Sequence, residues 1–268
     1  MLLAIDTSTN FASLALADGA TLLAELNWRV GQRHGSETLE RARWLMRGQG
    51  ITMGQLDGIG VALGPGSFNG VRVALATAKS LAFALDVPLY GVPTLDISAW
   101  GARLSAHPVW SLLEAGRGEV YAACYRTSDD AAGWAPQLLE HGDMPASESD
   151  PLSAYLIATP QALAARIGGH ATFTGEWREA TRDALAQTLG ESAHFTSALS
   201  TRRGAWLAEL ASARALSGAA DDPRALEPLY LRRPAITSSA RSARSVAAPT
   251  EPAEGKPSSG GEEEARAL

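Results

Sequence analysis

Cysteine is almost missing from this sequence: Cys124 stands alone among 268 residues, which excludes an internal disulfide and a four-cysteine zinc site. No run of eighteen apolar residues occurs either, so no membrane span is expected. The opening MLLAIDTSTN lacks a basic leader followed by an apolar stretch, and the expectation is a cytoplasmic protein rather than a secreted one. Charge is sparse at 19 %, and 23 Lys plus Arg fall short of 29 Asp plus Glu. That mild acidity argues against a broad nonspecific nucleic-acid surface, while leaving room for a small basic patch on RNA. The histidines are His34, His107, His141, His170 and His194, and none forms H-x-x-x-H or H-E-x-x-H, so a helix-borne zinc pair is excluded. What the chain does have is apolar content: 46 % hydrophobic residues can bury a core.

Composition changes after Pro234. From Thr237 to Leu268 there is no aromatic residue and almost nothing large and apolar, so burial cannot recover the entropy of ordering. This segment reads as a disordered, solubilising tail, 237–268. Ahead of it the pattern divides near Ala102 to Pro108, into an N-terminal domain spanning 1–105 and a C-terminal domain spanning 106–236.

The N-terminal domain opens as a meander. Leu2 to Asp6, Phe11 to Ala17 and Thr21 to Trp28 are short apolar or alternating runs separated by turn residues such as Asp18-Gly19. A helix follows from about Glu37 to Arg47, with Ser36 as its cap and Leu39, Ala42 and Met46 on one stripe. Trp44 points away from that stripe. Asp57 to Leu63 is the next strand, and Val71 to Leu85 a helix apolar nearly all round, which predicts cover on more than one side. Pro88 to Val92 and a helix from Thr94 to Trp100 complete this domain. Antiparallel strands first and crossover helices later imply a mixed sheet with helices on its faces. In the C-terminal domain, Val109 to Glu114 and Glu119 to Tyr125 read as a hairpin. Strands are expected at Trp134 to Glu140, Tyr155 to Ala158 and Ala171 to Thr174, and helices after Thr159-Pro160 and from Arg203 to Leu216. No long repeat is visible in the letters.

The strongest local motif is Gly64-Pro65-Gly66-Ser67-Phe68-Asn69-Gly70-Val71-Arg72, between a strand and an alanine-rich helix. Its glycines permit close backbone approach, Ser67 or Asn69 can cap the helix, and the free amides with Arg72 offer an anion site. It lacks the order of a Walker A loop and of a dinucleotide fingerprint, so a rigid packing or interface turn and a ligand contact both stay open. Asp6, with Thr7 and Ser8, ends the first strand, where a phosphotransfer fold would face a metal-bound phosphate; a local cap is the plainer role. Cys124 has no partner for chemistry and reads as a small buried residue. Ser67 has no assigned base, which leaves a serine-hydrolase reading unsupported. Arg117 and Glu119, two apart in EAGRGEVY, are placed to pair with each other or with a partner. Arg232 and Arg233 form the best short basic patch, within a terminal PLYLRRP segment that looks like a lock on the fold.

Taken together, LLAIDTST, RHGSETL, LGPGSFNGVRVALATAKSLA, EAGRGEVY and EPLYLRRP resemble the TsaB family. That family is the noncatalytic subunit of the bacterial machinery placing threonylcarbamoyl on the adenosine beside the tRNA anticodon. The resemblance covers about Met1 to Pro234. It implies an α/β, two-domain actin-like ATPase (ASKHA, RNase H-like) fold with mixed sheets flanked by helices, the last helix being a candidate to pack back on domain one. It implies a homodimer, binding to the catalytic paralogue TsaD, the ATPase TsaE in the larger complex, tRNA met through that complex, and no membrane. No metal and no cofactor are expected in this chain alone; ATP and a metal ion are used by partner subunits. Carried onto this sequence, the pairing helices contain His34, Leu39, Met46, Gly66, Ser67, Phe68, Asn69, Gly70, Arg72 and Ala76 as interface residues. Asp6, Thr7 and Ser8 are left as a vestigial nucleotide site, and no residue is assigned to catalysis. The chain departs from the family at Asn69, where Thr is common, in the HGSETLE entrance including Glu40 for a usual proline, and at Glu114 for Asp. The rival readings are an ATP-dependent small-molecule kinase, supported by Asp6 and the glycine-rich turn, and a glycoprotease-like peptidase, for which no nucleophile and base are assigned.

Overall fold

The computed structural model describes residues 1–30, 34–126, 131, 133–134, 154–197 and 202–232, with backbone alone at 34–36. The expected tail at 237–268 and the strand expected from Trp134 to Glu140, apart from Trp134 itself, lie outside the described residues. Met1–Pro234 forms one compact unit.

Three strands, β1 (Leu2–Asp6), β2 (Phe11–Asp18) and β3 (Thr21–Arg29), are followed by α1 (His34–Gly48), β4 (Gly58–Ala62), α2 (Phe68–Leu85), β5 (Leu89–Val92) and α3 (Thr94–Trp100). The second half then runs β6 (Val109–Gly116), β7 (Glu119–Tyr125), β8 (Leu156–Ala158), α4 (Pro160–Ala164), β9 (Ala171–Glu176), α5 (Glu179–Leu189), β10 (Ala193–Phe195) and α6 (Gly204–Leu216). Each half is therefore three strands, helix, strand, helix, strand, helix. The sheets are ordered β3-β2-β1-β4-β5 and β8-β7-β6-β9-β10, so the two halves share one topology. In both, the opening meander is antiparallel and the strands reached through helices are parallel to the first strand. Duplicated mixed sheets flanked by helices are the architecture that the family resemblance implies.

Strand alternation builds the layers. Leu3 and Ile5 of β1 face outward, with Leu14, Leu16, Ile59 and Val61, onto Ala42, Leu45 and Met46 of α1 and Ala74, Leu75 and Ala78 of α2. Leu2 and Ala4 face inward. There α3 and α6 lie between the two sheets, and their Leu95, Ile97, Trp100, Leu207 and Ala211 join Val109, Leu113 and Tyr125 of the second sheet. The outer face of that sheet, with Leu112, Cys124 and Phe173, is covered by Leu163 of α4 and Leu185 of α5. A helix pair thus serves both sheets at once, which is why all of α3 is buried.

Some boundaries differ from the sequence expectation. α1 starts at His34, so Ser36 lies inside its first turn instead of capping it. α2 starts at Phe68, because the Ser67 hydroxyl accepts the Gly70 amide at 3.3 Å. Two elements, α5 and β10, were not foreseen, and β9 continues through Gly175 to Glu176. Trp44 is 64 % exposed, in line with its position off the α1 stripe. No helix among the described residues is long and apolar enough to cross a membrane.

Candidate functional site

The glycine-rich turn and the end of β1 form one packed unit. A Cβ on Gly66 would stand 2.1 Å from the Ser8 carbonyl oxygen, and one on Gly70 would stand 2.0 Å from that of Thr7. Only glycine fits at either position, because both neighbours are backbone. Two hydrogen bonds close this contact: the Ser67 amide donates to the Ser8 carbonyl at 2.6 Å, and the Thr7 hydroxyl donates to the Gly70 carbonyl at 2.6 Å. The motif is a turn built to lie flat on β1.

Beneath it, Asp6, Thr7 and Ser8 are wholly buried. Asp6 Oδ1 accepts the Ser8 amide at 2.8 Å and the Ser8 hydroxyl at 2.6 Å. Asp6 Oδ2 is paired with the Nε of Arg202, which is itself 3 % exposed. Arg202 also reaches Glu176 Oε1 at 2.7 Å, and the Thr9 hydroxyl and Phe11 carbonyl at 3.2 Å each. Burial works against its charge, but the two carboxylates outweigh that and raise its pKa. Both oxygens of the Asp6 carboxylate are thus engaged by groups of the protein itself. Sequence reasoning missed Arg202 and Glu176. Arg202 is 196 residues from Asp6, and no spacing rule joins them.

The outer face of α1 and α2 has the opposite character. Ser67, Phe68, Asn69, Arg72 and Ala76 are exposed and lie along one side of α2. Leu39, Glu40 and Arg43 of α1 face Ala76, Thr77, Ser80, Leu81 and Ala84 across a groove of about 650 Å³. Phe83 is 86 % exposed on the same helix. At its start the Arg72 guanidinium lies 5.0 Å over the Phe68 ring, which meets Tyr230 at 5.4 Å. Of the residues expected at an interface, His34 opens α1, Leu39 and Gly66 are half-buried, and two are corrected by the structure. Met46 is 2 % exposed and packs under α1 in the core, and Gly70 is buried against Thr7. Neither offers a side chain to a partner: the α1 stripe packs on β2, β3 and α2, and the turn lies on Thr7 and Ser8 at the end of β1.

The remaining candidates are engaged elsewhere. Arg117 does not pair with Glu119: it sits in the hairpin turn at φ +57, while Glu119 pairs with Arg232. Arg232 also donates to the Ala115 carbonyl at 3.4 Å, and the Leu229 amide donates to the Leu63 carbonyl at 2.8 Å. The terminal segment is therefore a lock across both halves, with Arg232 committed to it. Glu114 reaches Arg178 at 2.7 Å and Thr181 at 2.7 Å. Partial burial raises its pKa, but these bonds prevail and hold it below the usual carboxylate range. Burial pushes the Cys124 thiol up to about 11, consistent with an inert core residue.

Comparison with known proteins bears on this arrangement. Residues 29–238 match the family described as TsaD, tRNA N6-adenosine threonylcarbamoyltransferase. The chain is 33 % identical over 125 residues to the tRNA threonylcarbamoyladenosine biosynthesis protein TsaB of Bacillus subtilis, covering 47 % of this chain and 55 % of that protein. It is 32 % identical over 131 residues to the TsaB protein of Escherichia coli, covering 48 % and 56 %. The chain thus spans about half the length of the curated relatives it matches. In structure it resembles YeaZ from Pseudomonas aeruginosa over 86 % of this chain and 99 % of that one, at a TM-score of 0.64 and 26 % identity. A family match across most of the folded unit, with a fold like that of YeaZ and sequence similarity to the TsaB proteins, leads to one assignment: the chain belongs to the TsaD family of tRNA N6-adenosine threonylcarbamoyltransferase proteins.

Proposed function

We propose that this chain is an accessory, noncatalytic scaffold or activator subunit in threonylcarbamoyl transfer to the adenosine next to the tRNA anticodon, acting by binding its catalytic paralogue TsaD. On this reading it pairs with a second copy of itself, TsaE joins the larger assembly, and tRNA is met in the cytoplasm through the complex. ATP and the metal ion belong to the partner subunits. One contrast carries the reading. The acid that would face a phosphate is locked to Arg202 under the glycine-rich turn, while α1 and α2 leave Phe68, Arg72, Ala76 and Phe83 open around a groove. Exposed aromatic and arginine side chains beside small residues match the anatomy of a specific protein interface.

Reconstitution of the transfer reaction on tRNA tests it. Product should require this chain together with the catalytic paralogue, and Ala76→Trp should keep the melting temperature while weakening partner binding on the order of tenfold or more. Full product without this chain, or product from this chain alone, would overturn the proposal.

A further inference from the structure

Three of the five histidines meet at one end of the second sheet, although no spacing in the sequence pairs them. His107 lies in the connector before β6, His170 directly before β9, and His194 within β10. Because β9 is parallel to both β6 and β10, these positions are neighbours across three adjacent strands. One ligand nitrogen from each lies within 4.8 Å of the other two, and His170 Nδ1 stands 3.1 Å from His194 Nε2. The ring centroids form a triangle with sides of 4.7, 5.0 and 5.3 Å, and the ring planes differ by only 16° to 25°.

That triangle has the dimensions of a metal site. With zinc–nitrogen bonds of about 2.0–2.1 Å in a tetrahedron, ligand nitrogens are about 3.3 Å apart and the ring centroids about 5 Å apart. Charge gives no reason for the gathering, since no carboxylate among the described residues belongs to the cluster. The loop of His107 is also fixed in advance. The His107 amide donates to the Ser105 hydroxyl at 3.2 Å, Ser105 meets the Thr172 hydroxyl at 2.6 Å, and the Thr172 amide donates to the Pro108 carbonyl at 2.9 Å. His170 and His194 are exposed and His107 is half-buried, so an ion can reach all three.

We propose that His107, His170 and His194 form a site for a divalent transition metal, with zinc as its expected occupant and the fourth position open to water. Three imidazoles suit zinc, copper or nickel far better than magnesium or calcium. The ion would tie the connector before β6 to β9 and β10, and so clamp one end of the second sheet. The site lies apart from α1 and α2 and is independent of the docking reading.

Untagged full-length chain, stripped with chelator and titrated with zinc in a calorimeter, tests the proposal. One zinc should bind per chain, with a rise in melting temperature, and cobalt should give the visible absorption of a low-coordinate site. His170→Ala and His194→Ala should each weaken zinc binding about tenfold or more, and the double variant should lose it. His34→Ala and His141→Ala should bind as the parent does. His194→Gln guards against misfolding: an apo melting temperature like the parent's with zinc affinity lost supports the site. Stoichiometric binding that survives the double variant, binding that follows His34 or His141, or no binding by the parent would each overturn it.

Discussion

Arg202→Met is the most informative single perturbation of this fold. The guanidinium is 3 % exposed and Asp6 is 0 % exposed, so neither charge has water as an alternative partner. Removing the arginine leaves Asp6 with the Ser8 amide and hydroxyl alone, and deprives Glu176, Thr9 and the Phe11 carbonyl of a donor. Breaking a buried pair from one side costs about 3–5 kcal/mol, because a buried charge is left uncompensated. For a folded unit of this size, that loss lowers the melting temperature on the order of 10 °C. Asp6→Asn combined with Arg202→Met removes the stranded charge and should recover some of the loss, so a double-mutant cycle by urea denaturation isolates the pair. A single variant that loses less than about 1 kcal/mol, or a double variant no better than the single, would refute the reasoning. Magnesium and ATP should leave the parent's melting temperature unchanged, whereas stabilisation that grew with ATP concentration would refute the sealed-site geometry.

Gly70→Ala should be disproportionately costly for one methyl group. Its Cβ would stand 2.0 Å from the Thr7 carbonyl, so the turn must lift from β1, and a loss of about 2 kcal/mol or more in urea denaturation is expected; parent-like stability would count against the contact. Asp96 provides a pH test. Burial raises its pKa to about 7 against opposing hydrogen bonds from Tyr125 and Tyr155 at 2.6 and 2.7 Å. A carboxyl that holds its proton more tightly when folded stabilises the fold fully below its unfolded pKa, and loses that contribution as pH rises through the folded value. The stability of the parent relative to Asp96→Asn should therefore fall between about pH 4 and about pH 7 and then level off. A difference that is flat or rises with pH would rule this out.

Much of the architecture was legible because it is written locally. The meander at the start, the hairpin at EAGRGEVY and the cap at Ser67 each depend on residues within a few positions of one another. The all-round apolar pattern of α2 announced cover on more than one side; α2 packs on β1, β4 and β5 with α1 beside it, while Phe68, Ala76 and Phe83 stay exposed on its outer face. Where burial is slight, the signal failed. α5 buries only Thr181 and Leu185, so its helical period is faint, and β10 is three residues long. The shared topology of the halves is likewise invisible in the letters, since a sheet order requires only alternating burial and not particular side chains.

Of the candidate site, the GPGSFNGVR turn could be recognised from its letters, but the roles of its residues could not. Met46 lies on the apolar stripe of α1 that its spacing marks, and it is the family resemblance, not that spacing, that set it at an interface; the packing of α1 puts it inside. Asp6 ended the first strand on any reading, yet its role was decided by Arg202, 196 residues away. The histidines gave no ligand spacing, and three strands brought them together. Periodicity, caps and turns are properties of neighbouring residues, so the sequence by itself determined the order of elements in the first half and the turn that joins β4 to α2. Which carboxylate is sealed, which helix face stays open and which imidazoles converge depend on contacts between distant segments, and these exist only once the sheets have been assembled.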